Sequence, residues 1–445
     1  MKPRFSNALS ETFRSMHVRN FRLFFIGQLI SQVGNWLTLI AQTLLILHLT
    51  DSGLAVGFLA ACQFLPVLLF GAWSGLVADR SDKRKLLMIV QSFAMVQSFA
   101  LAALAFMDNP PIPALYAVAL AGGFATAFDN PARRAFVVEM VPEANVQNAV
   151  SLNSALMTGS RVIGPAIAGL LITTVGFGWC FLVDGLSYIG VLAGLKLMRT
   201  EELRPSVPTP RSKRQVRAGI TYARSQPELW VPLVMMTIIG ALAFNFNVIM
   251  PLFAKRTLNG SDTTFTLLYS VVSVGSLIGA LHTARKTSTS VRQVVFGAGL
   301  FGLSLLALSL APNLGVALPL ALLMGLFSIM FMTASTAIVQ MRSDPTMRGR
   351  VLALQAIVFL GTTPIGGPLL GWVCEVFGAR AGLAVGGVAC LVAAAFGHLS
   401  TRHDTTPHDT TLHDTTPHDT TLQPAGSPPA GLTAVPARPA TTSPA

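Results

Sequence analysis

Residues 54 to 85 read LAVGFLAACQFLPVLLFGAWSGLVADRSDKRK: twenty-five residues without a charge, then four basic side chains within six positions. A helix that crosses a bilayer needs about 20 mostly apolar residues, so 54 to 78 is long enough to span. Its abrupt basic end marks a loop held on one side of the membrane. The same alternation of apolar stretch and polar break recurs on either side of this segment. It gives spans at 21 to 48, 54 to 78, 86 to 106, 113 to 129, 148 to 173 and 178 to 198, then at 229 to 254, 264 to 284, 292 to 311, 315 to 339, 350 to 375 and 380 to 399. Composition agrees, with 52% hydrophobic residues and 11% charged, against about 25% charged in a soluble globular chain. A soluble enzyme and a single-anchor protein are both excluded.

The net charge of +12 is a topology signal rather than a nucleic-acid footprint, because the basic residues sit in short runs between apolar segments. They crowd the N-terminus (Lys2, Arg4, Arg14, Arg19) and the second loop (Arg80, Lys83, Arg84, Lys85). The fourth loop (Arg133, Arg134), the sixth (Lys196 to Arg224), the eighth (Arg285, Lys286) and the tenth (Arg342, Arg348) continue the pattern. The odd loops carry only Lys255, Arg256 and Arg380. Both termini are therefore expected in the cytoplasm. Residues 1 to 20 are polar and basic, without the short apolar core of a cleavable signal, so insertion is expected to begin at a retained first helix.

The organisation that follows is a cytoplasmic N-terminus (1–20), a first six-helix bundle (21–198), a cytoplasmic linker (199–228), a second six-helix bundle (229–399) and a low-complexity cytoplasmic tail (400–445). The linker carries Pro205, Pro208, Pro210 and a basic run before Val216, Ile220 and Ala223, spaced as a short amphipathic helix on the membrane surface. The tail repeats His-Asp-Thr-Thr units from His403 to Leu422 and lacks the apolar content to fold, so it is read as disordered. Cys62, Cys180, Cys374 and Cys390 lie in apolar segments without metal or redox spacing and are read as packing residues.

The two bundles echo one another. Gly71 and Gly75 of the second span are matched 204 residues later by Gly275 and Gly279 of the eighth. Ile163, Gly164, Gly169 and Gly176 are matched at an offset of 202 by Ile365, Gly366, Gly371 and Gly378. Duplicated bundles at nearly one offset are the mark of a transporter built from repeats.

Gly75 to Lys85, GLVADRSDKRK, resembles the second-to-third-helix signature of the major facilitator superfamily. The resemblance implies an all-α polytopic membrane protein with twelve transmembrane helices in two pseudo-symmetric six-helix bundles, the major facilitator fold. In that family the loop is a gate latch. Carried over, Gly75 allows close helix approach, Arg80 and Arg84 hold the loop inside, and Asp79 pairs with Arg133 or Arg134 and faces the helix beginning near Arg350. A basic topological loop without a latch is the plainer reading. Asp82 stands where the family has Gly, an extra acid placed to alter the turn and compete for the same arginines.

From Asp129 to Tyr188 the segments DNPARRAF, AVSLNSALMTGSRVIGPAIAGLL and CFLVDGLSY occur in order. Together they resemble the drug and siderophore exporter branch, which includes enterobactin exporters, macrolide-efflux-type proteins and the transmembrane secretion effectors. Within them, Arg161, Gly164, Pro165 and Gly169 resemble the fifth-helix Gly-Pro motif of antiporters. Small residues there permit close packing, and Pro165 removes a helical donor. The basic residue that many proton-coupled exporters carry in the fourth helix is absent from Tyr116 to Phe128.

Ionisable groups within spans are functional candidates. Asp184, Asp129 and Glu375 are the candidate coupling carboxylates, with Asp129 also placed to partner Arg133. Gln28, Gln32, Asn35 and Gln42 share one face of the first helix, and Asn245 and Asn247 stand in its counterpart, the seventh. Such amides line a polar substrate cavity or hydrogen-bond between helices. No phosphate-binding Gly loop, zinc-spaced His cluster or Gly-flanked Ser elbow occurs, so no enzyme activity, cofactor or metal is expected. The expected function is secondary active transport by alternating access, exporting a small amphipathic compound such as a drug or siderophore-like metabolite and driven by an ion gradient, most simply of protons. The neighbouring readings are an importer or uniporter, and a non-transporting sensor of the same fold. Expected partners are that small molecule, a coupling ion and the bilayer of a bacterial inner membrane, with no nucleic acid and the chain acting as a monomer.

Overall fold

The computed structural model describes residues 11–204, 215–284 and 289–402. The first ten residues, the Pro-rich part of the linker, Arg285 with Lys286, and nearly all of the His-Asp-Thr-Thr tail lie outside the described residues. The first six spans are α1 (Arg19–Thr50), α2 (Gly53–Arg80), α3 (Lys83–Ala105), α4 (Ile112–Glu139), α5 (Val146–Thr174) and α6 (Phe177–Lys196). The linker helix α7 (Gln215–Arg224) follows, then α8 (Pro227–Leu242), α9 (Phe246–Leu252), α10 (Asp262–Ala284), α11 (Val291–Ser309), α12 (Leu314–Arg342), α13 (Pro345–Leu360), α14 (Thr363–Phe377) and α15 (Ala379–Arg402). Twelve stretches are long and apolar enough to cross a membrane. Large apolar side chains such as Ile89 and Leu310 stand 68% and 75% exposed on the outside of the bundle, which suits lipid and not water.

Each half packs by the same plan. In the first, α1 lies on α6, α2 on α4 and α3 on α6; in the second, α8 lies on α15, α10 on α12 and α11 on α15. The halves then meet along two seams, α2 against α14 and α5 against α10, which exchange under the same duplication. The glycine echo in the sequence is thus structural. Gly176 and Gly378, the two described glycines with positive φ (93° and 84°), make the tight connections before α6 and α15. A residue with a Cβ is strained in that conformation. Gly164 abuts Trp36 of α1, and Gly366 abuts the Ala241 carbonyl of α8, so each sits against the first helix of its own half. The other echo is not kept: Gly275 and Gly279 pack on α12, whereas Gly75 faces open space.

Two spans expected to be continuous are broken. The seventh stops at Leu242 and restarts at Phe246, because the Asn245 side chain donates to the Ala241 carbonyl at 2.7 Å and takes the acceptor its own backbone N–H would have used. The eleventh stops at Leu360 and restarts at Thr363, where Thr362 Oγ1 donates to the Val358 carbonyl at 3.0 Å and Pro364 lacks a donor. The breaks abut, since a Cβ on Gly240 would lie 3.0 Å from Thr362 Oγ1 and one on Gly366 would lie 2.9 Å from Asn245 Nδ2. Interrupted helices facing each other in one half are where transporters place binding groups.

The linker helix α7 is docked on the second half. Gly219 lies beside Arg350, the Tyr222 hydroxyl accepts from the Asp344 N–H at 2.9 Å, and the Arg224 guanidinium sits 5.0 Å from the Trp230 ring centroid. Ala223 is fully buried, as its amphipathic spacing predicts. Cys180, Cys374 and Cys390 are free and buried, and Cys62 is free and half-buried.

Candidate transport site and gates

The first half encloses a polar network contributed by α1, α2, α3, α4 and α6. Asp129 and Arg133, one turn apart on α4, form a buried ion pair. Gln91 donates to Asp129 Oδ1 at 2.7 Å, and Arg133 also reaches Gln28 Oε1 at 3.3 Å. Gln28 further accepts from Gln32 at 3.1 Å, and Gln42 accepts from Gln63 at 2.9 Å. Three of the four amides on the α1 stripe are therefore buried among helices; Gln28 and Gln42 bond to other helices, whereas Gln32 bonds to Gln28 within α1. Asn35 is the exposed one, and its Oδ1 accepts from Tyr188 at 2.8 Å.

Asp184 is the other buried acid, and it is held differently. Thr38 and Ser98 hydroxyls donate to Oδ2 at 2.6 and 2.7 Å, while Oδ1 has no partner and points at Gly34. No cation pairs with it among the described residues. In the second half, the Oδ1 atoms of Asn245 and Asn247 are likewise buried without a donor. An interior with three oxygens ready to accept has capacity for a ligand or proton.

The signature loop is spread over several separate contacts. Asp82 caps α3 by accepting from the Lys85 N–H at 3.1 Å and does not reach an arginine. Arg84 donates to the carbonyls of Leu195 and Lys196 at 2.6 and 3.3 Å, closing the C-terminal end of α6. Lys83 and Glu139 form a buried pair at 2.8 Å that sequence reasoning did not find. Asp79, Arg80 and Arg134 are exposed, and Asp79 makes no ion pair or hydrogen bond among the described residues. Arg133, one of the two arginines expected to meet Asp79, is committed to Asp129.

The opposite end of the bundle, called the far end here, is closed across the halves. Gly53 and Gly57 of α2 pack on Gly367 and Gly371 of α14 so tightly that a Cβ on Gly53 would lie 2.8 Å from the Gly371 carbonyl oxygen. Around this contact, Glu375 Oε2 accepts from the Gly53 N–H at 2.6 Å and lies 3.5 Å from Arg256. The acid thus caps the N-terminus of a helix in the other half. Arg256 donates to the Asp51 carbonyl, Lys255 reaches Asp51 Oδ1 at 3.2 Å, and His48 Nε2 lies 2.9 Å from Asp262 Oδ2. Glu375, a coupling candidate from sequence, is therefore placed in this closure and not at mid-span. The other pairs leave no local trace in the sequence, because each joins residues more than 200 positions apart on opposite halves.

Along residues 10–424 the sequence matches the profile of a family described as transmembrane secretion effector. The chain belongs to that family. Curated proteins are similar to this chain over most of their length. The staphyloferrin A transporter of Staphylococcus aureus is 25% identical over 80% of this chain and 90% of its own. Macrolide efflux protein A of Streptococcus pyogenes is 24% identical over 78% and 87%. The enterobactin exporter EntS of Escherichia coli is 26% identical over 79% and 84%. Among solved structures, a bacterial homolog of the human lysosomal transporter Spinster superposes with a TM-score of 0.69 at 14% identity, covering 86% of this chain and 96% of that one. A D-xylose–proton symporter gives 0.67 at 16%, covering 85% and 96%. This secretion effector is a major facilitator transporter for a small molecule and a multi-pass membrane protein.

Proposed function

We propose that the chain exports a small amphipathic compound from the cytoplasm across a bacterial inner membrane, exchanging it for protons by alternating access. The observation that carries this reading is Asp184, a fully buried acid held by two hydroxyls, with one oxygen unpartnered and no cation beside it. An uncompensated carboxylate inside a bundle is a natural proton site. Export is supported by the names of the relatives above, and the basic even-numbered loops support a cytoplasmic side for both termini. The far-end closure then faces outside, and the end with the unengaged Asp79 faces in. Asp79 acts as the inner latch, engaging Arg134 or the start of α13 when that end shuts. Asn35, Asn245 and Asn247 offer polar contacts to the cargo. Inverted vesicles energised with a proton gradient test the reading by uptake of a panel of dyes, antibiotics and iron chelators. Asp184→Asn is expected to abolish gradient-driven uptake while leaving counterflow of the same compound intact. An unaltered response to pH in that variant would remove Asp184 from the coupling role.

A further inference from the structure

Arg133 on α4 and Arg161 on α5 carry charges that the first half handles in opposite ways. Arg133 is neutralised by Asp129 and further held by Gln28. Arg161, midway along α5, makes no ion pair or hydrogen bond among the described residues, and its buried Nε has no acceptor. Its guanidinium carbon lies 6.0 Å from the centroid of the Trp36 ring on α1. Trp36 lies in turn 5.9 Å from the ring of Tyr269 on α10, tilted by 53°. The three side chains therefore come from both halves and meet on the α5–α10 seam. Two turns further along α5, that seam is closed where Gly169 meets Thr266. Arg161 is itself only half-buried, so the packing around it leaves part of the side chain open.

A cation within a bundle is costly when no acid compensates it, and a ring face returns only part of that cost. The deficit would be met by an oxyanion, which a guanidinium binds through two parallel hydrogen bonds. Packing would be served equally well by a neutral side chain. Trp36 and Tyr269 add flat apolar faces beside the charge, which suit an aromatic body attached to that oxyanion. We propose that Arg161, Trp36 and Tyr269 form an anion subsite that takes the carboxylate of an aromatic organic acid, with the ring against the two aromatic side chains. The proposal rests on the reading of the chain as a carrier of small amphipathic molecules and assigns such a molecule a negative charge. Because the subsite joins α5 to α10, an anion seated there also bridges the moving halves.

Calorimetric titration of the full chain in lipid nanodiscs tests this with 2-naphthoate and its neutral isostere 2-naphthalenemethanol, using empty nanodiscs as the partition control. The wild type is expected to hold naphthoate about tenfold more tightly than the alcohol, as a charge-assisted bidentate contact requires. Arg161→Gln is expected to erase that preference and leave alcohol binding unchanged, with Arg161→Lys recovering part of it. Trp36→Leu, which keeps the charge, is expected to weaken both probes alike and provides a second readout if Arg161→Gln does not fold. Equal affinities in the wild type, no binding of either probe, or a preference that survives in Arg161→Gln would overturn the subsite. Failure of proton-driven export in vesicles would leave this binding difference standing, and loss of the preference would leave export standing.

Discussion

At the far end of the bundle the halves touch through bare backbone and paired charge: Gly53 and Gly57 lie on Gly367 and Gly371, ringed by Asp51, Lys255, Arg256 and Glu375. At the end where α2 turns into α3, Gly75 faces open space, Asp79 is unpaired among the described residues, and the described pair of Lys83 with Glu139 lies within one half. One end is committed and the other is available. Both ends hold acids near arginines, so charge content alone does not make a gate; what differs is whether the partners lie on opposite halves. An alternating-access transporter needs that difference to reverse during its cycle.

The comparison breaks most completely if the glycine contact is filled. Gly57→Leu is expected to hold the far end apart, abolishing transport and exposing a cysteine placed at Ala60, which is buried against Gly367 in this state, to a membrane-impermeant thiol reagent from that side; retained flux would show that the seam does not close. Asp79→Asn addresses the other end. If Asp79 engages only when the inner end shuts, transport falls by about tenfold, the weight of one lost charged hydrogen bond. Thermal stability of the state described here stays unchanged, because that acid bonds to nothing in it. A matching fall in melting temperature would assign Asp79 to folding. Arg256→Ala removes the contacts to Asp51 and Glu375 together and is expected to shift the balance of states by about fivefold toward the form open at the far end, in keeping with partly exposed pairs worth about 1 kcal/mol or less. Distance measurements between spin labels on Leu54 and Trp372 read that shift. The smallest effect belongs to His48. Its Nε2 lies 2.9 Å from Asp262 Oδ2 across the halves, and His48→Leu is expected to change the population of the closed state by about twofold in the same spin-label measurement, within the range of an exposed contact, leaving the glycine contact as it was.

Much of this architecture was legible along the chain because a membrane span is a local pattern: about 20 apolar residues announce themselves without reference to anything distant. The Asp129–Arg133 pair was legible for the same reason, being one helical turn apart. The far-end closure was not. Lys255 and Arg256 read only as exceptions to the loop charges, because their partner Asp51 lies in another half and nothing in the sequence points from one to the other. The broken seventh span was hidden by its own hydropathy, since Phe244 and Phe246 flank Asn245 and keep the stretch apolar across the gap. The break in the eleventh left a clearer trace in Gly361, Thr362, Thr363 and Pro364, a run that favours a turn over a continuous helix. Arg161 was readable as a cation at mid-span, but not as one without an acid, since an absent partner is visible only in three dimensions.

The seam between Gly53, Gly57, Gly367 and Gly371 also bears on how fast the halves can part. Interlocked side chains must change rotamer before two helices separate, and each such step adds friction to the motion. Glycine ridges have no rotamers to unlock, so this contact works as a low-friction bearing, tight at rest and smooth once moving. The dwell time of the shut state is then set by the ring of charges around it, which dissolved salt screens over about 8 Å at physiological strength. Ionic strength on that one side of the membrane becomes the throttle of the cycle.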